Sequence, residues 1–350
     1  MSRVAITGLG MTSCLGISLV ENWNMICGKV SGLTNISSQH TAIGGKLSVN
    51  VFTDFGRMYL RHTNTLHSAL SLSSAIEVLN NGHFFPENDD QRFRIGISES
   101  LSMSEIGSSS FLTSGAFTGA NIATAIGIKG PITTTSGGLQ AIFEAAQIIR
   151  SQEADVMLVI GSGQELTEDY LGKFAKMGLL SQEKNYSMFS GHGMVLGEGS
   201  GAVMLENLDH ALKRNARIYC EIDNFAQAGP QKLYEMDTRL PLTGDVIIAN
   251  SSGTEKSDLA EVKMLENQKK VVSIKGNIGW VPSAAGILDT IIGSLIIHQG
   301  VVPPNCTESS VKGINLVKNL TLEQVDKVAV TSFTFTGGAA CLGISRFLNK

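Results

Sequence analysis

The chain reads as an α/β protein with buried, largely parallel sheets, and three observations carry this. Apolar runs without alternation recur at 154–161 (ADVMLVIG), 245–250 (DVIIAN) and 327–333 (KVAVTSF). That is the pattern of strands covered on both faces. Between such runs stand segments at helical spacing, led by Leu139, Ile142, Phe143, Ala146 and Ile149. A similar order of strand, loop and helix occurs twice, so residues 1–205 and 206–350 look like diverged copies of one unit.

In chain order, residues 3–10 (RVAITGLG) form an apolar run ending in glycines, which predicts a buried strand entering a turn. Residues 51–110 are polar and serine-rich and read as peripheral structure. The helix beginning at Gly138 is followed by the strand 154–161, and 195–206 (VLGEGSGAVMLE) gives a further turn and strand. In the second half, 245–250 is a strand ending in a polar loop. Residues 275–279 (KGNIG) are a loop, 283–298 a helix, 327–333 a strand and 341–348 a closing strand.

Composition bounds the function. Of 350 residues, 43% are hydrophobic and 17% charged, against about 25% charged in ordinary domains. Such a chain buries a large core, which argues against disorder. Its 38 glycines suit tight turns and close packing of elements. Lys+Arg 27 against Asp+Glu 31 gives a net charge of -4 with no block of like charges, so no nucleic-acid footprint is expected. Cys14, Cys27, Cys220, Cys306 and Cys341 are dispersed without a CxxC pair, which reads as reduced thiols in a cytoplasmic protein. No clustered ligands predict a metal site, and no cofactor is expected. The opening residues hold no leader-like apolar stretch, and 284–298 is interrupted by Asp289 and short for a membrane span.

Five motifs in order carry a family resemblance. They are RVAITGLGMTSCLG, ADVMLVIGSGQELTEDYLGKFAKMGLLS, GEGSGAVMLENLDHALKRNARIY, SIKGNIGWVPSAAG and SFTFTGGAA. The chain resembles the β-ketoacyl-carrier-protein synthases of the thiolase superfamily. The resemblance implies a shortened, layered αβαβα fold of two pseudo-repeated halves, with dimerisation through a shared sheet.

It also implies site positions. The family nucleophile is a cysteine at the start of a buried helix, where the helix N-terminus favours thiolate. Here the turn is Thr133-Thr134-Thr135-Ser136-Gly137-Gly138, and Thr135 takes the cysteine position. Two family histidines assist decarboxylation and stabilise the oxyanion. Their positions hold Asn250 and Trp280, while the lysine of the second motif is retained as Lys275. A threonine hydroxyl is a weak nucleophile without an adjacent base. Neither an amide nor an indole takes a proton near pH 7. Loss of one oxyanion donor alone costs on the order of 10²–10³ in rate. The family's glycine-rich gating loop reads Thr334-Phe335-Thr336-Gly337-Gly338-Ala339.

An intact scaffold with changed catalytic positions resembles the chain-length factors of type II polyketide synthases, and among them the compact aryl polyene type. That implies an obligate heterodimer with an active ketosynthase, which supplies the chemistry and most contact with acyl carrier protein. The tunnel-gating segment falls at 109–120, where Phe111 and Phe117 are the bulky side chains and Ser114 lies between them. Two alternatives stay open: an acyl hydrolase or acyltransferase using Ser136, and a scaffold without a partner. Lys275 reads as a structural ion-pair partner of Glu198, and Trp280 as filling for the vacated pocket. His192 reads as a loop residue, His210 as part of a solvated helical face and His298 as a helix C-terminal group.

Overall fold

Strand β1 (Val4–Ser13) is buried along its whole length and lies at the middle of one ten-stranded sheet. The computed structural model describes residues 2–48, 66–101, 118–163, 166–229, 240–268, 270–307, 310–333 and 338–348. Four more sheet strands belong to the first half: β4 (Ile95–Ser100), β5 (Ile132–Thr135), β6 (Val156–Ser162) and β7 (Gly199–Asn207). The second half supplies β8 (Cys220–Ala228), β9 (Val246–Ile248), β10 (Val271–Val272), β13 (Lys327–Phe333) and β14 (Ala339–Ser345). Two short hairpins, β2 (Thr34–Ser37) with β3 (Ala42–Gly44) and β11 (Val301–Val302) with β12 (Thr321–Leu322), stand outside the sheet.

The strand order is β10-β9-β13-β14-β8-β1-β7-β6-β4-β5. Read outward from the centre, β8-β14-β13-β9-β10 repeats β1-β7-β6-β4-β5 strand for strand. The senses repeat too, since β4 runs parallel to β5 and β6 as β9 does to β10 and β13. Within the sheet the halves join at Ala5–Glu221 and Ile6–Cys220.

Between the halves lie α5 (Gly138–Arg150) and α10 (Ala285–Gln299). The spacing of Leu139, Ile142, Ala146 and Ile149 puts one apolar stripe of α5 into the main core. Helix α10 is apolar all round and buried from Ala285 to Ile297, as a central helix must be. Each buried Ile or Leu there contributes roughly 1.5–3 kcal/mol. The two helices cross at their first turns. A Cβ on Gly138 would stand 2.8 Å from the Ile287 nitrogen, and one on Gly286 2.9 Å from the Leu139 nitrogen. Only glycine permits this approach.

Four expectations change. Among the described residues the sheet is mixed rather than largely parallel, with five antiparallel pairings to four parallel ones, because antiparallel pairing runs through the centre from β6 to β13 and parallel pairing is confined to the outer strands. The glycines after residue 7 do not end β1. They stay in the strand because α2 (Leu66–Asn81) presses on it, and a Cβ on Gly8 or Gly10 would meet the carbonyl of Val78 or Ser74 at 2.6 and 2.8 Å. The serine-rich region is not peripheral in its described part, because α2 and β4 are buried there. Helix α2 and α4 (Thr118–Ile126) cover the outer face of the first half, packing Leu72, Val78 and Ile122 on Ile95, Ile97 and Leu158. The predicted loop at 275–279 is a one-turn helix, α9 (Lys275–Ile278).

Candidate functional site

Two of the three matched positions stand just ahead of the central helices, Thr135 before α5 and Trp280 before α10, while the third, Asn250, follows β9. Strand β5 delivers Thr135 to a turn in which Gly137 takes φ 136°, and α5 starts at Gly138. Thr135 is buried and its Oγ1 donates to the Gly137 carbonyl at 3.3 Å, so the hydroxyl is engaged by backbone. Ser136 is exposed. It borders a cavity of about 450 Å³ with Gly137, Gln140, Gln227, Ser332 and Ala340. Among the described residues no histidine or carboxylate is hydrogen-bonded to Ser136.

Asn250 follows β9 and is buried. Its N–H donates to Glu261 Oε1 at 2.7 Å and to Thr331 Oγ1 at 3.1 Å, and the Ser251 N–H donates to Glu261 Oε2 at 2.7 Å. The Asn250 Nδ2 has no hydrogen-bond partner among the described residues. Helix α8 (Glu255–Leu265) supplies Glu261 and also Asp258, which accepts from the N–H groups of Gly191 and Gly253 at 3.1 Å each. Burial pushes Glu261 up to about 7, against the bonds from Thr331, Ser251 and Asn250. Burial likewise pushes Asp258 up to about 6. These two carboxylates fix the loop that carries Asn250. Sequence reasoning missed them, although their i, i+3 spacing behind the loop was available as a signal.

Lys275 is a buried structural ion-pair partner, but its acid is Asp289 rather than Glu198. Its Nζ lies 2.7 Å from both carboxylate oxygens, on the first turns of α9 and α10. Burial pushes Asp289 up to about 6 against the lysine's attraction. Glu198 instead accepts the N–H groups of Leu47 and Leu166, at 2.7 and 2.8 Å. Trp280 is buried in an apolar cluster with Tyr170, Phe174, Met194 and Leu196, and its backbone N–H donates to the Val195 carbonyl at 2.7 Å.

The other histidines sort by contact. His192 is an exposed loop residue whose Nδ1 lies 3.4 Å from Glu183. His210 is partly exposed on its helix face, and its Nδ1 lies 2.6 Å from buried Glu206, which also holds Arg214 and Thr7. His298, in the last turn of α10, packs against Tyr219 in a tilted arrangement with centroids 4.8 Å apart. Burial and the nearby Arg217 and Arg346 hold its pKa below the ordinary value, so it is a poor cation for that terminus. The fold brings Cys341 onto β14 beside the cavity's Ala340, but burial pushes its thiol up to about 12, leaving no thiolate. Phe111, Ser114, Phe117 and residues 334–337 of the final loop lie outside the described residues. Among those described, no group of His, Cys, Asp or Glu side chains is placed to hold a metal.

Residues 1–211 match the beta-ketoacyl synthase N-terminal domain and residues 224–308 its C-terminal domain. The chain belongs to the β-ketoacyl synthase family. It is 28% identical to a putative mitochondrial 3-oxoacyl-[acyl-carrier-protein] synthase of Schizosaccharomyces pombe, over 99% of this chain and 100% of that one. It is also 28% identical to 3-oxoacyl-[acyl-carrier-protein] synthase 2 of Coxiella burnetii, over 98% of each chain. A β-ketoacyl synthase structure from Burkholderia phymatum superposes with TM-score 0.87 at 20% identity, covering 99% of this chain and 100% of that one. The ishigamide ketosynthase/chain length factor structure superposes with TM-score 0.85 at 19% identity and the same coverage. The fold is thus the thiolase-like one of ketosynthases. Among the described residues, no helix of this ketosynthase-family chain is long and apolar enough to cross a membrane.

Proposed function

We propose that this ketosynthase-family chain is a non-catalytic subunit, a chain-length factor, in cytoplasmic polyketide or polyene biosynthesis. It pairs with an active ketosynthase and shapes the tunnel that holds the growing acyl chain. The observation that carries this is the side-chain set at the three matched positions. Thr135 is tied to backbone, Asn250 offers an amide, and Trp280 sits in an apolar cluster. With no described base or thiolate standing in for them, condensation needs another subunit's nucleophile. Residues 1–205 and 206–350 act as the two halves of one scaffold, and Phe111, Ser114 and Phe117 bear on tunnel length.

Among the described residues no strand pairs with the outer edge of β5, and this supports a partner. Strand β5 is the outermost strand of its half, and its Ile132 is 44% exposed. An unpaired edge of this kind is a template for a second chain. Two solved structures with this fold contain, by their titles, a ketosynthase/chain length factor and a type II polyketide ketosynthase with its acyl-carrier protein. The test is intact-mass spectrometry of this chain co-purified with a candidate partner ketosynthase, after incubation with acylated carrier protein. The ketosynthase alone should gain an acyl group. An adduct on Thr135 or Ser136 overturns the proposal.

A further inference from the structure

The outer layer of the first half changes character along the strands. Ile95 and Ile97 of β4, and Val156, Leu158 and Ile160 of β6, line it with apolar side chains. At the next position in each row stands a polar residue, Glu99 and Ser162. Helix α2 answers with His67, Ser71 and Ser74 at i, i+4 and i+7, one helical face. All five side chains are buried, His67 at 2% exposure and Glu99 at 0%.

Three of them, Ser71, Ser162 and His67, form a hydrogen-bonded track that ends against Glu99, while Ser74 pairs with Ser200 at 2.6 Å. Ser71 Oγ lies 2.7 Å from Ser162 Oγ, and Ser162 Oγ lies 2.7 Å from His67 Nδ1. The Ser162 hydroxyl donates to the His67 carbonyl at 2.9 Å, and Nδ1 also lies 3.2 Å from the Ser162 carbonyl, which can only accept, so Nδ1 carries a ring proton; Nε2 faces Glu99 Oε1 at 3.4 Å. Neither of those two atoms has a hydrogen-bond partner among the described residues. The other carboxylate oxygen, Oε2, accepts the Gly119 N–H in the first turn of α4 at 2.8 Å. A carboxylate is favoured at a helix N-terminus. Gly119 in turn lies against the edge strand, since a Cβ there would stand 3.3 Å from Ile132 Cγ2.

Stability does not account for this arrangement. A buried polar pair is about break-even against apolar side chains of similar volume, and isoleucines already fill the rest of the row. What the track supplies is position: α2, β6 and β4 together dictate where α4 begins on β5. We propose that Glu99, oriented by His67 and Ser162, is a latch that sets α4 on the edge strand and so shapes the surface offered to the partner ketosynthase. This rests on the reading of β5 as the partner's edge.

The test uses the full chain, alone and co-expressed with the candidate partner ketosynthase of the proposed function. The variants are Glu99→Gln, the apolar pair His67→Leu/Glu99→Val, and Ser162→Ala. The apolar pair should melt within a few degrees of the parent, yet amides of α4 and β5 should exchange about tenfold faster and assembly should weaken about tenfold. Glu99→Gln keeps an oxygen for the Gly119 N–H and should retain most of both. Parent-like α4 exchange in the apolar pair, or parent-like assembly, overturns the latch. If the apolar pair does not fold, Ser162→Ala decides: unchanged α4 exchange overturns the proposal and faster exchange with an unchanged melt supports it. If the unaltered chain does not assemble with the ketosynthase, the partner reading fails, and the exchange data alone judge the latch.

Discussion

The two halves of the sheet share one strand order and differ at their outer edges. Edge strand β10 is closed: the Val271 N–H donates to the Asn315 carbonyl at 2.9 Å, and the Val317 N–H to the Val271 carbonyl at 3.1 Å. Edge strand β5 leaves Ile132 and Thr134 exposed. The halves also anchor their site loops differently. The second half uses buried acids, Glu261, Asp258 and the Lys275–Asp289 pair, whereas Thr135 of the first half is held by backbone alone. One topology thus serves a fixed wall on one side and a surface left open on the other.

The largest expected effect lies in that wall. Replacing Lys275 by Met strands the Asp289 carboxylate in the core and should cost about 3–5 kcal/mol in urea denaturation. Lys275→Met combined with Asp289→Leu should recover most of it, because no charge is then left unpaired. Recovery absent, the ion pair is not what holds α9 to α10.

Proline substitutions separate the two edges. In β5 the ladder to β4 runs through Pro131 and Thr135, whose carbonyls accept from Ile97 and Leu101 at 2.8 and 2.7 Å. Parallel pairing uses alternate residues, so Thr134 turns its N–H outward. Thr134→Pro should leave the melting temperature nearly unchanged and abolish co-purification with the ketosynthase. Val271→Pro, which removes the bond to Asn315, should destabilise the chain by about 3 kcal/mol. Equal stability losses at both edges would erase the contrast.

The smallest effect is a pH slope. Glu261 is raised from 4.5 to about 7, so the folded state binds its proton more tightly than the unfolded chain does. Its contribution is full below about pH 4.5 and is lost as pH climbs toward 7. Denaturant midpoints should therefore fall across that window, and Glu261→Gln should flatten the fall. Glu206 opposes this. Burial raises its pKa, but the bonds from Arg214, His210 and Thr7 outweigh burial and lower it overall. Its contribution is present above the ordinary carboxylate pKa and fades as pH drops below it. Midpoints rising from pH 4.5 to 7 would contradict the Glu261 assignment.

Much of this was legible in the chain itself. The strands at 154–161 and 327–333 and the helices at Gly138 and 283–298 stand close to their observed bounds, because continuous apolar runs leave a buried element little choice. Serine hid α2: its Ser71 and Ser74 look solvent-facing in sequence, yet they hydrogen-bond Ser162 and Ser200 inside the outer layer. Polarity predicts exposure only until a partner across the layer satisfies it.

The sequence by itself determined the α/β class, the twofold repetition and the identities at Thr135, Asn250 and Trp280, since these are properties of order along the chain. Tertiary structure alone decided which acid Lys275 meets, which carboxylates grip the Asn250 loop, and which sheet edge stays open. Each of those depends on residues distant in sequence, such as Asp289, Thr331 and Asn315, reaching the same few ångströms. A buried charge or an unpaired strand is settled by whatever group arrives there first in space, and no local pattern in the chain encodes that arrival.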